Sequence, residues 1–262
     1  MLKIVLTLKY KSLKAQLEHP ANFMMQILAV SLVGFLGIPA LLILTRAFPS
    51  VGGWSFWELG FMVALMQMAQ GVHHLLFMPF WGHLWLVRNG DFDRLLVRPV
   101  HPLLQIMASE LSLSAIGEFL PGAVLLAITV SHAQVEWSVL NALFLALVVV
   151  SAAVIEWAVY LFFATFDFWL IEASLLYVPT LVLRTLVRYP IHIYGRVLSW
   201  GLTFVLPYAF MAYLPTHHFY GLDVQGVPGV FVYLTPVVAV VSTIVAVVVW
   251  GFGLRHYQST GT

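Results

Sequence analysis

Polar residues are sparse enough along this chain to leave six long apolar runs, at 23–45, 56–80, 103–131, 138–166, 168–187 and 230–252. A helix needs about 20 residues to cross a bilayer, so the first, second and last runs fit one crossing each. The third and fourth are long enough to tilt, and the fifth is marginal. A seventh patch, 197–214, is broken by Pro207 and closed by Pro215, with Tyr189-Pro190 ahead of it and a loop from Thr216 to Gly229 behind it. Segment 188–229 therefore reads as a re-entrant hairpin, because broken backbone at membrane depth survives only where protein or water covers it. At the N-terminus Lys3, Thr7, Lys11, Lys14 and Glu18 share one helical face, and Leu2, Leu6, Leu13 and Leu17 another. That is the pattern of an amphipathic helix lying in the membrane interface over 1–20. The pattern predicts an all-α membrane protein, one domain over 1–262, with six transmembrane helices and an outer hairpin before the sixth.

Composition agrees. The chain is 61% hydrophobic and 9% charged, against about 45–50% and 25% for a soluble domain. A membrane barrel would show short alternating segments instead of continuous runs. A net charge of +1 offers no basic field for nucleic acid. The absence of cysteine excludes disulfides and thiolate metal sites.

Six spans place Lys3, Lys9, Lys11, Lys14, Arg88, Arg94, Arg98 and Arg255 on one side, and Arg46, Arg184, Arg188 and Arg196 on the other. The excess of positive charge assigns the first side, with both termini, to the cytoplasm of a multi-pass cell (inner) membrane protein. Trp54, Trp57 and Trp137 then mark the outer interface, and Trp81, Trp85, Trp169 and Trp250 the inner one.

Between the second and third runs, within the loop 82–102, Arg88, Asp91, Asp93, Arg94 and Arg98 put five formal charges into one short stretch. Asn89, Gly90 and Asp91 are helix-start signals, and Pro99 is a stop signal. The turns between them, Phe92 to Val97, are expected to present Asp93, Arg94 and Arg98 to the cytosol and Leu95 and Leu96 to a partner's groove.

The string from Asn89 to Pro102 resembles the cytoplasmic loop of type-2 ATP-binding cassette (ABC) permeases, and Tyr189-Pro190 through Leu206-Pro207 to Tyr213-Leu214-Pro215 resembles their re-entrant hairpin. The resemblance covers nearly the whole chain. It implies that the loop is a coupling helix, with Asp91, Asp93, Arg94, Leu95, Leu96 and Arg98 contacting an ATPase. The chain has no Gly-x-x-x-x-Gly-Lys-Ser/Thr phosphate cradle. ATP and Mg would therefore sit on a separate ATPase subunit, leaving no cofactor in this chain. A six-span half would also pair with a second permease, identical or related, as an exporter of lipophilic or amphipathic compounds.

Ionisable residues inside a membrane are costly and are candidates for function. Gln67, Gln70 and His74 share one face of the second span. Glu110, Ser114, Gly117, Glu118 and Pro121 form a polar, small-residue stripe on the third, with Glu118 about 22 Å up an unbroken helix. Glu156 stands alone on the fourth. Gln67, Gln70, His74, Glu110, Glu118 and Glu156 are the candidate substrate path. The competing readings are interhelical hydrogen bonds that fix packing, a proton-coupled carrier or channel using the carboxylates, and an intramembrane lipid-modifying enzyme using a carboxylate with His74. No nucleophile-base arrangement supports the last. His73-His74 and His217-His218 point about 100° apart on a helix and do not make a metal pair. Ala108 and Ser112 are spaced for close helix packing.

Overall fold

The computed structural model describes residues 2–48, 50–77, 83–170, 177–223 and 228–258. Trp81 and the middle of the fifth apolar run, 171–176, lie outside them. The helices are α1 (Leu2–Leu17), α2 (Pro20–Ala47), α3 (Phe56–Leu76), α4 (His83–Arg88), α5 (Asp93–Leu96), α6 (Pro102–Ser109), α7 (Ile116–Thr129), α8 (Val139–Ala164), α9 (Tyr177–Leu186), α10 (Arg196–Trp200), α11 (Tyr213–Tyr220) and α12 (Thr235–His256). Among the described residues the only extended pairing is an isolated bridge, Val51 with Trp54.

Among the described residues, four helical stretches are long and apolar enough to cross a membrane: Pro20–Ala47, Leu113–His132, Val139–Phe168 and Thr235–His256. A bent pair, Arg196–Val205 with Tyr208–Tyr220, makes a fifth if counted as one span. Helix α3 reaches about 31 Å but carries Glu58, Gln67, Gln70, His73 and His74. It can be polar because it is enclosed: Leu59, Phe61, Met62 and Leu65 are fully buried. By contrast α2 and α12 leave bare apolar faces, including Met25, Leu28, Leu32 and Val33 on one and Val240, Ile244 and Val248 on the other.

Glycines set the close approach of α3 and α7. A Cβ on Gly71 would lie 2.8 Å from the Phe119 nitrogen, and one on Gly122 would lie 2.9 Å from the Met68 nitrogen. Each glycine therefore faces the partner's backbone, as small-residue membrane interfaces require. Gly34 on α2 makes room for the ring of Pro121 on α7 in the same way. The α3–α7 packing thus runs through these glycines; Ala108 and Ser112 do not share a helix, because α6 ends at Ser109.

The third apolar run is not one helix. It breaks at Glu110, whose backbone is extended (φ −139, ψ 143). The exposed backbone is satisfied from α1: Leu111 N–H donates to Ser12 Oγ at 3.1 Å, Leu113 N–H donates to Gln16 Oε1 at 3.1 Å, and the Gln16 amide donates to the Leu111 carbonyl. Glu118 consequently sits in the first turn of α7, not deep along a continuous span. Helix α1 does leave Leu6 and Leu17 bare, as an interfacial helix would. Its polar side chains also stitch the break, and burial lowers the pKa of Lys9, whose Nζ donates to the Leu76 carbonyl at 2.5 Å.

The hairpin segment bends by 75°, with the break at Leu206-Pro207. A π-turn, Gly201–Val205, precedes the break. Pro215 does not close the patch: it lies in the first turn of α11, where a missing N–H is tolerated. Helix α11 runs on to Tyr220 and ends at Gly221, whose φ of 60° suits glycine.

Two apolar cores occupy opposite ends. One gathers Trp54, Phe61, Tyr208, Tyr213 and Phe219 at the hairpin end. The other gathers Phe92, Trp157, Phe168 and Trp250 at the loop end. Four of the expected belt tryptophans do not behave alike: Trp54 is 5% exposed and Trp250 0%, whereas Trp137 and Trp169 are 44% and 40% exposed; the side chains of Trp81 and Trp85 lie outside those described.

Candidate functional site

Two charged assemblies emerge, one inside the helix packing and one at the loop end. Inside, α8 places Glu156 and Tyr160 one turn apart on a shared face. Arg184 of α9 reaches both: its Nε lies 3.2 Å from Glu156 Oε1, and its Nη1 donates to the Tyr160 hydroxyl at 3.1 Å. Glu156 is fully buried. On the neighbouring pair, His74 of α3 meets Glu118 of α7, Nδ1 to Oε2, at 2.5 Å. His73 links the two pairs by contact. Its ring stacks on Tyr160 at 5.4 Å and lies 5.2 Å from that of His74. Tyr208 of the bent hairpin, fully buried, has a hydroxyl without a hydrogen-bond partner among the described residues and lies within electrostatic reach of Glu156. The arrangement holds charge of both signs between α3, α7, α8 and α9, inside the helix packing. A buried pair of this kind loses several kcal/mol if one partner is removed, about 3–5.

Two expectations change here. Glu156 is not alone, and Arg184, counted with the outer-side basic residues, is paired among the helices instead. Counting Arg184 as internal leaves Arg46, Arg188 and Arg196 as the basic residues of the hairpin end.

At the loop end, Gly90 turns the chain with φ 72°. Phe92 then drops into the core, 0% exposed, with its ring 4.9 Å from Tyr257 and 5.3 Å from Phe168. The helix after it is a single turn, α5, with no side-chain cap. Gln105 of α6 holds it from behind, donating to the carbonyls of Leu95 at 2.8 Å and Val100 at 2.6 Å. Asp93 does not face outward: its Oδ1 accepts from the Tyr257 hydroxyl at 3.0 Å. Burial, with that hydrogen bond to the carboxylate, pushes the Tyr257 pKa up to about 12. Leu95 likewise packs against the loop-end core. What remains outward is Arg94, paired with Asp91 at 3.1 Å, together with Leu96 and Val97, 44% and 84% exposed. Arg98, exposed, leans back to Gln105 Oε1 at 3.5 Å.

A family profile described as ABC-2 family transporter protein matches residues 27–261. The chain belongs to the ABC-2 transporter family. No curated protein and no solved structure matches it. As an ABC-2 permease it is a multi-pass membrane component of an ABC transporter. The matched span of this permease contains the loop, the internal charge cluster and the bent hairpin, and begins after α1.

Of the residues singled out in the sequence, the permease fold joins His74 with Glu118 and sets Glu156 near them. Gln67 lies on the same side of α3 as His74, donating to the Gly34 carbonyl at 3.4 Å, and lines a cavity of about 430 Å³ with Arg188 and Tyr189. Gln70 is buried within α3. Glu110 is separated from all of these: it is exposed at the helix break beside α1. The sequence reading missed Arg184, Tyr160, His73 and Tyr208 inside, and Phe92, Gln105 and Tyr257 at the loop. An arginine inside an apolar run was the available signal for Arg184, since an isolated arginine at that depth needs an anionic partner. Among the described residues no group of three His, Asp or Glu side chains could hold a metal ion.

Proposed function

We propose that this ABC-2 permease is one half of an ATP-driven exporter of a lipophilic or amphipathic compound. It would have six spans, both termini in the cytoplasm of the cell (inner) membrane, and a re-entrant hairpin on the outer side. A separate ATPase subunit hydrolyses ATP, and a second copy or related permease completes the pore. The carrying observation is the turn at 91–98. Its inner side is held by Phe92, Asp93 and Gln105, so the exposed Arg94, Leu96 and Val97 form a rigidly backed docking surface. Such a surface transmits a push to α6 and α12 instead of absorbing it. Orientation follows from charge, with eight basic residues at the loop end against three at the hairpin end.

The test is co-purification of the ATPase with wild type and with the double variant Arg94→Glu/Leu96→Asp. The variant is expected to insert and fold but to lose the ATPase and transport. Unchanged association and transport would sink the reading. Orientation is checked separately. A cysteine at Ser50 should react with an impermeant thiol reagent on intact cells, and one at Asn89 should not.

A second reading is a proton-coupled carrier, favoured by the His74–Glu118 contact. In the exporter reading Gln67, Gln70, His74, Glu118 and Glu156 border the substrate path. In the carrier reading His74, Glu118 and Glu156 pass protons. Transport that persists without ATP and tracks an imposed pH gradient selects the carrier.

A further inference from the structure

The break in the third apolar run opens a cleft that neither assembly uses. It has a volume of about 470 Å³ and lies between α1, α2 and the end of α6. His19, Asn22 and Gln26 contribute to it from α2 at i, i+3 and i+7, one helical face. The other face of the same turns is bare and apolar: Met24, Met25 and Leu28 are 56%, 70% and 60% exposed. Helix α2 has 28 residues, a rise of about 42 Å against a hydrocarbon core of about 30 Å, so its first turn or two reach headgroup depth. Glu110 closes the cleft at the C-terminal end of α6. It is exposed, and it has no hydrogen bond or ion pair among the described residues; the side chains of Asn22 and Gln26 likewise have none. The floor is fixed, because Ser12 and Gln16 are committed to the backbone of Leu111 and Leu113.

We propose that this cleft binds the headgroup of a zwitterionic phospholipid that carries an ammonium group. Glu110 supplies the one formal charge among the lining residues, and it is negative. The complement is an ammonium group. The amides of Asn22 and Gln26 and the ring of His19 supply donors for the adjacent phosphate. Glu110 next to a phosphate alone would be repelled, so the ammonium is what makes the headgroup fit. The acyl chains lie along the bare Met25, Leu28 and Leu32 face of α2. The site is independent of the transport reading.

The experiment uses the full purified chain, exchanged into micelles with equal amounts of phosphatidylethanolamine, phosphatidylcholine and phosphatidylglycerol and read by native mass spectrometry. Retention of the two ammonium lipids is expected to exceed that of phosphatidylglycerol by about tenfold, the effect of one favourable charge contact with Glu110. Glu110→Gln should remove that preference. Asn22→Leu/Gln26→Leu, which keeps the carboxylate, should weaken retention of all three lipids while leaving the preference for an ammonium headgroup. Circular dichroism and melting check that each variant is folded, and the second variant carries the test if the first is not. Equal retention of the three lipids by wild type, or an unchanged preference in folded Glu110→Gln, would overturn the proposal and leave only nonselective annular lipid. Soluble glycerophosphoethanolamine is the remaining arm. If it displaces the lipid at equal concentration, the ligand is a free amine and the lipid assignment fails.

Discussion

In the loop at 88–101, Arg94 meets Asp91 with side chains 79% and 42% exposed; among the spans, Arg184 meets Glu156 with 18% and 0%. The distances are nearly equal, 3.1 and 3.2 Å. The surroundings are not. Water screens the first pair and competes for each partner, so it adds about 0–1 kcal/mol. The second pair has already lost its water, and each charge there depends on the other. Charge density in the sequence pointed to the loop, where charge does little for stability. Arg184, which holds α9 against α8, was counted with the basic residues of the outer side although it lies within an apolar run. Exposed charge in this permease adds little to the fold, and buried charge holds α9 against α8.

The largest effect should come from splitting the internal pair. Glu156→Leu or Arg184→Met alone leaves one buried charge unpaired and should cost about 3–5 kcal/mol. Both together should recover most of that loss, because the uncompensated charge is gone. Thermal melting of the purified protein is the measurement. If the double variant is as unstable as the singles, the pair is not what binds α9.

Next in size is Phe92→Ala. It keeps every charge of the loop and removes the ring buried among Phe168, Trp250 and Tyr257. The cost should be about 3 kcal/mol, felt mainly as loop opening. Hydrogen exchange of residues 86–100 should rise while the hairpin end stays protected. Uniform protection would mean that the charges, not the ring, hold the loop.

These two predictions also mark what was legible in the sequence. The apolar runs located α2, α3, α8 and α12, because a span must be apolar or enclosed along its length. Leu206-Pro207 located the bend, since proline cannot continue the helix. The break at Glu110 was not legible: the groups that satisfy it, Ser12 and Gln16, lie about a hundred residues earlier, and local pattern says nothing about such partners. The pairing of Glu156 with Arg184 failed for the same reason: each charge stands out in its own run, but only α9 folded onto α8 makes them partners. Phe92 read as one more apolar residue of a short helix, and only the fold reveals it as the anchor.

Smaller again is Glu118→Gln. The pair it breaks is intermediate in exposure, with side chains 18% and 27% exposed, so about 1–2 kcal/mol is expected. The amide keeps a hydrogen bond to His74 but loses the charge. If the pair borders the substrate path, transport or its pH dependence should change more than the melting temperature does. Wild-type transport at every pH would remove Glu118 from the path.

At the loop end a titration separates burial from pairing. Tyr257 has its pKa raised to about 12, so the folded state holds the phenol proton more tightly than the unfolded chain does. Its contribution is fully present below about pH 10, the ordinary tyrosine value, and is lost as pH rises through the folded value. Alkali should therefore loosen the loop end as pH rises through about 12, and Tyr257→Phe should remove that contribution from the alkaline limb. An unchanged alkaline limb in the variant would assign it to another group.

The smallest effect on stability should come from the most conspicuous charges. Asp91→Asn/Arg94→Gln removes the exposed pair while leaving Phe92, Asp93 and Gln105 in place. Because water already solvates both partners, the melting temperature should shift by less than about 0.5 kcal/mol in equivalent free energy. The foundation of the turn is untouched, so its shape and hydrogen-exchange protection should match wild type. Only recognition has lost its charge. The docking reading therefore requires a weaker complex with the ATPase and a faster loss of it as salt is raised, with no change in folding. A variant that melts several degrees lower would place these charges in the fold, and one that binds the ATPase as tightly as wild type at every salt concentration would leave docking to Leu96 and Val97 alone.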